Sequence, residues 1–185
     1  MGHKHSKEEI LEGALAAALD EGLSQLTFGR LAKRLVVNDR IIVYYFPTKH
    51  DLIAEVIGAI GLELQNELDG ALTTKAADHR ELAAAAWPVV STPRATQVFA
   101  LFFEAIGLAA IGRDPYRTLV PDLFGAWIDW ASAHIDGTNT HRRQEAESAV
   151  AIIDGLLLLR LLAGPESADR AARTLTINES PTTVQ

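Results

Sequence analysis

Between Thr27 and Lys49 the chain places five basic side chains, Arg30, Lys33, Arg34, Arg40 and Lys49, against a single acid, Asp39. Cations at that density neutralise phosphate, and an arginine fork among them matches the O6 and N7 acceptors of guanine in a DNA major groove. The rest of the chain reverses the balance. Residues 1 to 50 hold seven Lys/Arg against six Asp/Glu, a net of +1, whereas the remainder holds ten against eighteen, a net of −8. The formal charge of −7 therefore averages a basic island with an acidic body and does not exclude a nucleic-acid partner.

Other chemistries find little support. The absence of cysteine removes disulfides, thiolate metal sites and cysteine nucleophiles. His3 and His5 sit near the start, His79, His134 and His141 are scattered, and none has the i, i+4 spacing of a zinc site. No Ser/His/Asp set carries an elbow or oxyanion signature. Neither a metal, a cofactor nor an enzymatic activity is expected. A chain that is 48% hydrophobic and 22% charged has enough apolar surface to fold as a soluble protein. Met1 to Ile10 lacks an apolar core, and the longest apolar run, about 149–163, is broken by Asp154 and Arg160. No signal peptide or membrane partner is expected, and the cytoplasm is the expected location.

The elements that must hold the basic island are helices. Ile10, Leu11, Ala14, Leu15, Ala18 and Leu19 recur at helical spacing behind the capping-box sequence Ser6-Lys7-Glu8-Glu9, which predicts a first helix over about 7–21 ending at Gly22. Thr27 can cap a short second helix, ended by Leu35-Val36-Val37-Asn38, and Asn38 a third that runs through Tyr45 until Pro47. Thr48-Lys49-His50-Asp51 repeats the cap-and-carboxylate pattern and opens a fourth helix through Leu68, roughly 35 Å long at about 1.5 Å per residue. Further helices are predicted near 78–90, 94–112, 116–135, 141–163 and 166–176, separated by Pro93, Gly112-Arg113-Asp114-Pro115, Asp136-Gly137 and Gly164-Pro165. The almost wholly polar Asn178–Gln185 reads as a mobile tail. No strand-like alternation is present, so the fold class is all-α.

Two short helices joined by a tight turn, the second opened by a polar cap among basic residues, fit a helix-turn-helix that inserts its second helix into the major groove. They fit equally an ordinary helix corner with a solvated charged face.

The wording of the segment is more specific. Leu26-Thr27-Phe28-Gly29-Arg30-Leu31-Ala32-Lys33-Arg34-Leu35-Val36-Val37-Asn38, followed by Tyr44-Tyr45-Phe46-Pro47-Thr48-Lys49 and Asp51-Leu52, resembles the TetR family of bacterial transcriptional regulators over about fifty N-terminal residues. The resemblance implies a three-helix DNA-binding module at 1–50, with its motif at about 27–46. A long helix joins it to a helical effector-binding and dimerisation domain at 51–185. It casts Thr27 as a phosphate-contacting cap and Lys49 as a lysine that reaches the DNA backbone. Of the pair Tyr44 and Tyr45, it makes one core and one a phosphate contact. A cation in a helix's first turn opposes the dipole, so a phosphate beside Lys49 would relieve it.

Departures from the family's pattern shape the reading surface. Val36 stands where the family usually has Gly, Asn38 where it has Ser, Val43 where it has Tyr, and Gly29, followed by Arg30, where a DNA-contacting Arg is frequent. Asn38 still caps. Asp39, Arg40, Ile41 and Val43 then form the reading set, with Arg40 expected on a guanine, and Asp39 either accepting from cytosine N4 or repelling phosphate.

In the acidic body, residues 94–135 concentrate Phe99, Phe102, Phe103, Tyr116, Phe124, Trp127 and Trp130. Most such rings fill core. By the resemblance these helices also enclose an effector pocket, for which Trp87, Phe99, Phe102, Phe103, Glu104, Trp127, Trp130 and His134 are the candidates. Glu104, alone in an apolar run, either orients a ligand, pairs with an arginine or faces solvent, the last being favoured. The eighth helix is apolar on more than one face, which implies a second partner or a wholly buried position. The resemblance places Ile153, Leu156, Leu157 and Leu161, with Ala171 and Leu175 from the ninth, in a four-helix dimer interface.

The expected protein is a homodimeric repressor that binds a double-stranded DNA operator and is released by a small apolar or amphipathic effector through the long fourth helix. The alternative is a helical protein-interaction adaptor without sequence-specific DNA binding.

Overall fold

The computed structural model describes residues 5–175, all of its regular structure there being helical. The expected tail at Asn178–Gln185, His3 and the last residue of the ninth predicted helix lie outside that range.

Helix α1 (Lys7–Glu21) starts on the predicted box: Ser6 Oγ accepts from the Glu9 amide at 3.2 Å, and Glu9 Oε2 accepts from the Ser6 amide at 3.0 Å. It stops at Gly22, whose φ of 89° and ψ of 161° suit no side chain well. A single 3-10 turn, Leu23–Gln25, then leads to α2 (Phe28–Leu35), capped by Thr27, and α3 (Asp39–Tyr45), capped by Asn38. That turn was not expected, because three residues carry no periodicity. Helix α2 crosses α1 so closely that a Cβ on Gly13 would stand 2.4 Å from Leu35 Cδ2.

Helix α4 (Lys49–Ala71) opens on Thr48, whose amide and hydroxyl both donate to Asp51 Oδ2, at 2.9 and 2.7 Å. There follow α5 (His79–Val90), α6 (Pro93–Ala110), α7 (Tyr116–Ala133), α8 (Asn139–Ala163) and α9 (Pro165–Thr174). Pro93, expected to separate helices, is the first residue of α6, a position where the missing amide costs nothing.

The described residues pack as two units, residues 5–63 with 100–122 and residues 64–99 with 123–175. In the first, Ile10, Leu23, Leu31, Ile42, Phe46, Leu52 and Ile53 are sealed from solvent. Here α6 and α7 grip the link between α1 and α2. Glu104 accepts from the amides of Leu23 and Ser24, each at 2.8 Å, and the buried Tyr116 hydroxyl donates to the Leu23 carbonyl at 3.1 Å. Burial, and then the nearby Glu104 charge, pushes the Tyr116 pKa up to about 12. Glu104 thus neither faces solvent, as favoured from sequence, nor pairs with an arginine; its partners are backbone amides.

In the second unit α8 packs on α5 and α9 around Leu82, Ala83, Trp87, Ile128, Ile135, Ala149, Leu157 and Ala168. A short backbone bridge, Ala76 N–H to the His134 carbonyl at 2.8 Å and Asp136 N–H to the Ala76 carbonyl at 2.9 Å, closes it. Helix α4 is not alone in belonging to both units, since α6 and α7 also run from one into the other.

Candidate nucleic-acid interface and effector cavity

Helix α3 is seven residues long and divides cleanly. Ile42 turns inward with Phe46 behind it, both fully buried, while Asp39, Arg40, Val43 and Tyr44 face solvent. Within the tyrosine pair, Tyr44 is 78% exposed, whereas Tyr45 is half-buried rather than core and donates its hydroxyl to the His5 carbonyl at 3.0 Å. The two rings meet edge to face, 5.0 Å apart, so the half-buried ring buttresses the exposed one. Asn38 Oδ1 accepts from the Arg40 amide at 2.9 Å, which fixes the start of the helix and leaves the Arg40 guanidinium exposed. Thr27 Oγ1 accepts from the Arg30 amide at 3.3 Å, and Thr27 stays at the surface.

The basic island divides too. Arg34 pairs with Asp20 at 2.5 Å and Glu21 at 3.4 Å, and Arg30 with Glu21 at 3.6 Å, so the end of α1 partly neutralises both. The hydrogen bond to Asp20 holds the Arg34 pKa above its ordinary value. Lys33, Arg40 and Lys49 are exposed and have no ion pair among the described residues. Lys49 is the first residue of α4, where the positive end of the helix dipole adds to its own charge. Five cations in sequence are therefore three uncommitted ones in space, and which pairs form was not readable from α2 alone because both acids lie on α1.

Between α2 and α3 the chain turns at Val36, with φ 56° and ψ 43°, the left-handed region usually reserved for glycine. The turn is a complete Schellman closure, Val37 N–H to the Ala32 carbonyl at 3.0 Å and Val36 N–H to the Lys33 carbonyl at 3.4 Å. A β-branched residue is held there with its side chain 89% exposed.

The second unit encloses a cavity of about 30 Å³ lined from five helices, with Phe99, Trp127 and Trp130 among its walls and Asp154 the one charged lining residue. Three of the eight sequence candidates therefore reach it. Trp87 is buried in the same unit without lining it, and His134 sits beside it, its ring 4.7 Å from Trp130 and its Nε2 3.1 Å from Asp69. Phe102, Phe103 and Glu104 belong to the other unit. Asp154, which the sequence marks only as a break in an apolar run, is half-buried, and burial pushes its pKa up to about 6.

On α8, Leu156 and Leu157 are buried within the protomer and Ile153 lines the cavity, so these three face inward. The outward apolar face is Ala151, Gly155, Leu158 and Leu162, spaced i, i+4, i+7 and i+11, flanked by Leu161. Leu175 is exposed and Ala171 half-exposed. Among the described residues no group of His, Asp and Glu forms a metal site, and no helix is long and apolar enough to cross a membrane.

The capped three helices at the start of the chain have the helix-turn-helix arrangement. Residues 10–56 match the family described as bacterial regulatory proteins, tetR family. That match covers the capped head alone, and the chain as a whole has the fold of TetR-family structures. A Rhodococcus sp. protein described as a TetR-family transcriptional regulator superposes with a TM-score of 0.72 at 14% identity, over 94% of this chain and 98% of its own. A Saccharomonospora viridis transcriptional regulator in complex with choline superposes with a TM-score of 0.68 at 20% identity, over 92% and 93%. The multidrug binding protein EbrR complexed with proflavin superposes with a TM-score of 0.65 at 22% identity, over 94% and 99%. None of the curated proteins matches the sequence.

Proposed function

We propose that the protein is a homodimeric, cytoplasmic DNA-binding repressor whose operator affinity falls when a small molecule enters the cavity of the second unit. Residues 1–50 bind DNA, and residues 51–185 bind the effector and dimerise. The observation that carries this is the outer face of α3, where Arg40, Val43 and Tyr44 stand exposed on a buried Ile42 and Phe46. Lys33 and Lys49 remain uncommitted nearby in the chain. A recognition helix this short reads few base pairs, so a second copy reading a second half-site is needed. The face of Ala151, Gly155, Leu158 and Leu162 supports that pairing, since small residues at its centre allow close helix approach. The aromatic cavity supports an apolar or amphipathic effector, and two fold relatives are held with small organic molecules, choline and proflavin. Helices α4, α6 and α7 belong to both units and supply routes by which occupancy of the cavity biases the head.

The test is binding to fragments selected from random DNA, across a salt series, for the wild type, Arg40→Ala and Lys49→Ala. The wild type should lose affinity steeply with salt. Lys49→Ala should weaken all sequences alike and lower the salt slope by about one, and Arg40→Ala should cost about 1–3 kcal/mol on the preferred sequence and relax its specificity. Absence of salt-dependent DNA binding overturns the reading in favour of a protein-interaction adaptor, which would use the same apolar face of α8.

A further inference from the structure

The cavity holds a contradiction that a ligand resolves. Its walls are hydrocarbon and indole, yet Asp154 on α8 presents a carboxylate to it that makes no hydrogen bond or ion pair among the described residues. A carboxylate kept from water without a partner is unfavourable. Of the two lining indoles, Trp130 already donates its N–H to Asp69 Oδ1 at 3.2 Å, an acceptor that His134 Nε2 also approaches at 3.1 Å. Trp127 and Trp130 lie 5.0 Å apart, centroid to centroid, with their planes 35° apart, so two adjoining indoles stand beside one unpaired negative charge. Indole faces are electron-rich and attract a cation, and the carboxylate supplies its counter-charge.

We propose that Asp154, Trp127 and Trp130 make this cavity selective for an organic cation with a compact ammonium centre. The inference rests on the reading of the cavity as the effector site and narrows the effector from apolar or amphipathic to cationic. Neutral molecules bring the carboxylate no counter-charge, and anions add a second negative charge to it. The void of about 30 Å³ holds roughly two waters and is smaller than a drug-sized ligand requires, so the cation's head is what it houses. Trp127 makes no hydrogen bond among the described residues, so admitting a methylated ammonium calls for Trp127 to turn rather than Trp130, which Asp69 holds. The raised Asp154 pKa agrees, since a partner cation is what would restore it towards the ordinary carboxylate range.

The experiment titrates the full-length protein calorimetrically with choline and with dimethylbutanol, its uncharged carbon isostere, in the wild type and Asp154→Asn at pH 7.5. Choline should bind the wild type at least about tenfold more tightly than the isostere, and Asp154→Asn should erase that preference. A melting temperature of Asp154→Asn at or above the wild type's shows that the substitution spares the fold; if the variant does not fold, the choline preference of the wild type alone decides. Equal binding of the two probes, choline binding untouched by Asp154→Asn, or no choline binding up to about 10 mM overturns the inference. The regulator reading is judged separately by salt-dependent DNA binding, which needs no ligand. A protein that binds DNA and takes both probes alike keeps its effector cavity and loses only the cation selectivity.

Discussion

Replacing Val36 by glycine should stabilise the protein without touching any side-chain contact that the fold depends on. Val36 sits at φ 56° and ψ 43°, and its side chain is 89% exposed, so removal sacrifices almost no burial. The two closing hydrogen bonds, at 3.4 and 3.0 Å, use backbone atoms that glycine keeps. Left-handed backbone costs a residue with a Cβ about 1–2 kcal/mol. Against this, glycine's extra freedom in the unfolded chain returns about 0.5–1 kcal/mol. The balance is a gain of about 0–1.5 kcal/mol for Val36→Gly, centred near 0.75 kcal/mol, or roughly 2–3 °C in melting temperature at that centre for a chain of this size. Urea unfolding followed by circular dichroism measures it as a higher midpoint at unchanged slope. A midpoint equal to or below the wild type's would refute the claim that the turn is strained, and a changed slope would mean that the substitution acts on the unfolded chain. Val36→Ala removes the β-branch but keeps the Cβ and should fall between the two.

Glu104→Ala frees the amides of Leu23 and Ser24 and should lower unfolding stability by about 2 kcal/mol, with Glu104→Gln recovering part of it; an unchanged urea midpoint would contradict the clamp. Gly22→Ala should cost about 1–3 kcal/mol, since it combines a positive φ with a Cβ 2.9 Å from Glu104 Oε2. For Asp154 the folded pKa of about 6 exceeds the ordinary 3.8, so its protonated form favours folding at low pH and that benefit is lost as pH rises through this window. Asp154→Asn should therefore gain about 1–3 kcal/mol over the wild type at pH 7.5, and the gain should fade as pH drops below 6 towards 4, as read by melting at stepped pH. If α8 pairs two protomers, Leu158→Glu together with Leu162→Glu should yield monomers by light scattering and weaken DNA binding in parallel.

Local chemistry made the head legible from sequence. Ser6 with Glu9, Thr27, Asn38, and Thr48 with Asp51 are caps whose partners lie within three residues, and each forms as read. The departure at Val36 was likewise visible, because a turn of that shape asks for glycine and the chain supplies valine. What escaped depends on distant partners. Glu104 bonds to amides some eighty residues away, so its setting could not be read from the apolar run around it. The cavity draws lining from five helices, and Asp154 becomes notable only once Trp127, Trp130 and Phe99 are assembled around it. Along α8 leucines occupy 156–159 and 161–162, which hides the facing of the helix; tertiary packing turns 156 and 157 inward and leaves 158 and 162 outside.

The clamp of Glu104 and Tyr116 on the α1–α2 link also dictates an order of assembly. A ribosome delivers residues 5–63 well before residues 100–122, yet both stretches belong to one packed unit. During that interval the Leu23 and Ser24 amides wait without their acceptor, and the emerging head remains incomplete. Nascent chains stalled before residue 104 should be markedly more open to protease at the Gly22–Gln25 link than chains stalled after Tyr116 has cleared the exit tunnel. If the head binds DNA as proposed, a product terminated before residue 104 should bind it more weakly than the full chain.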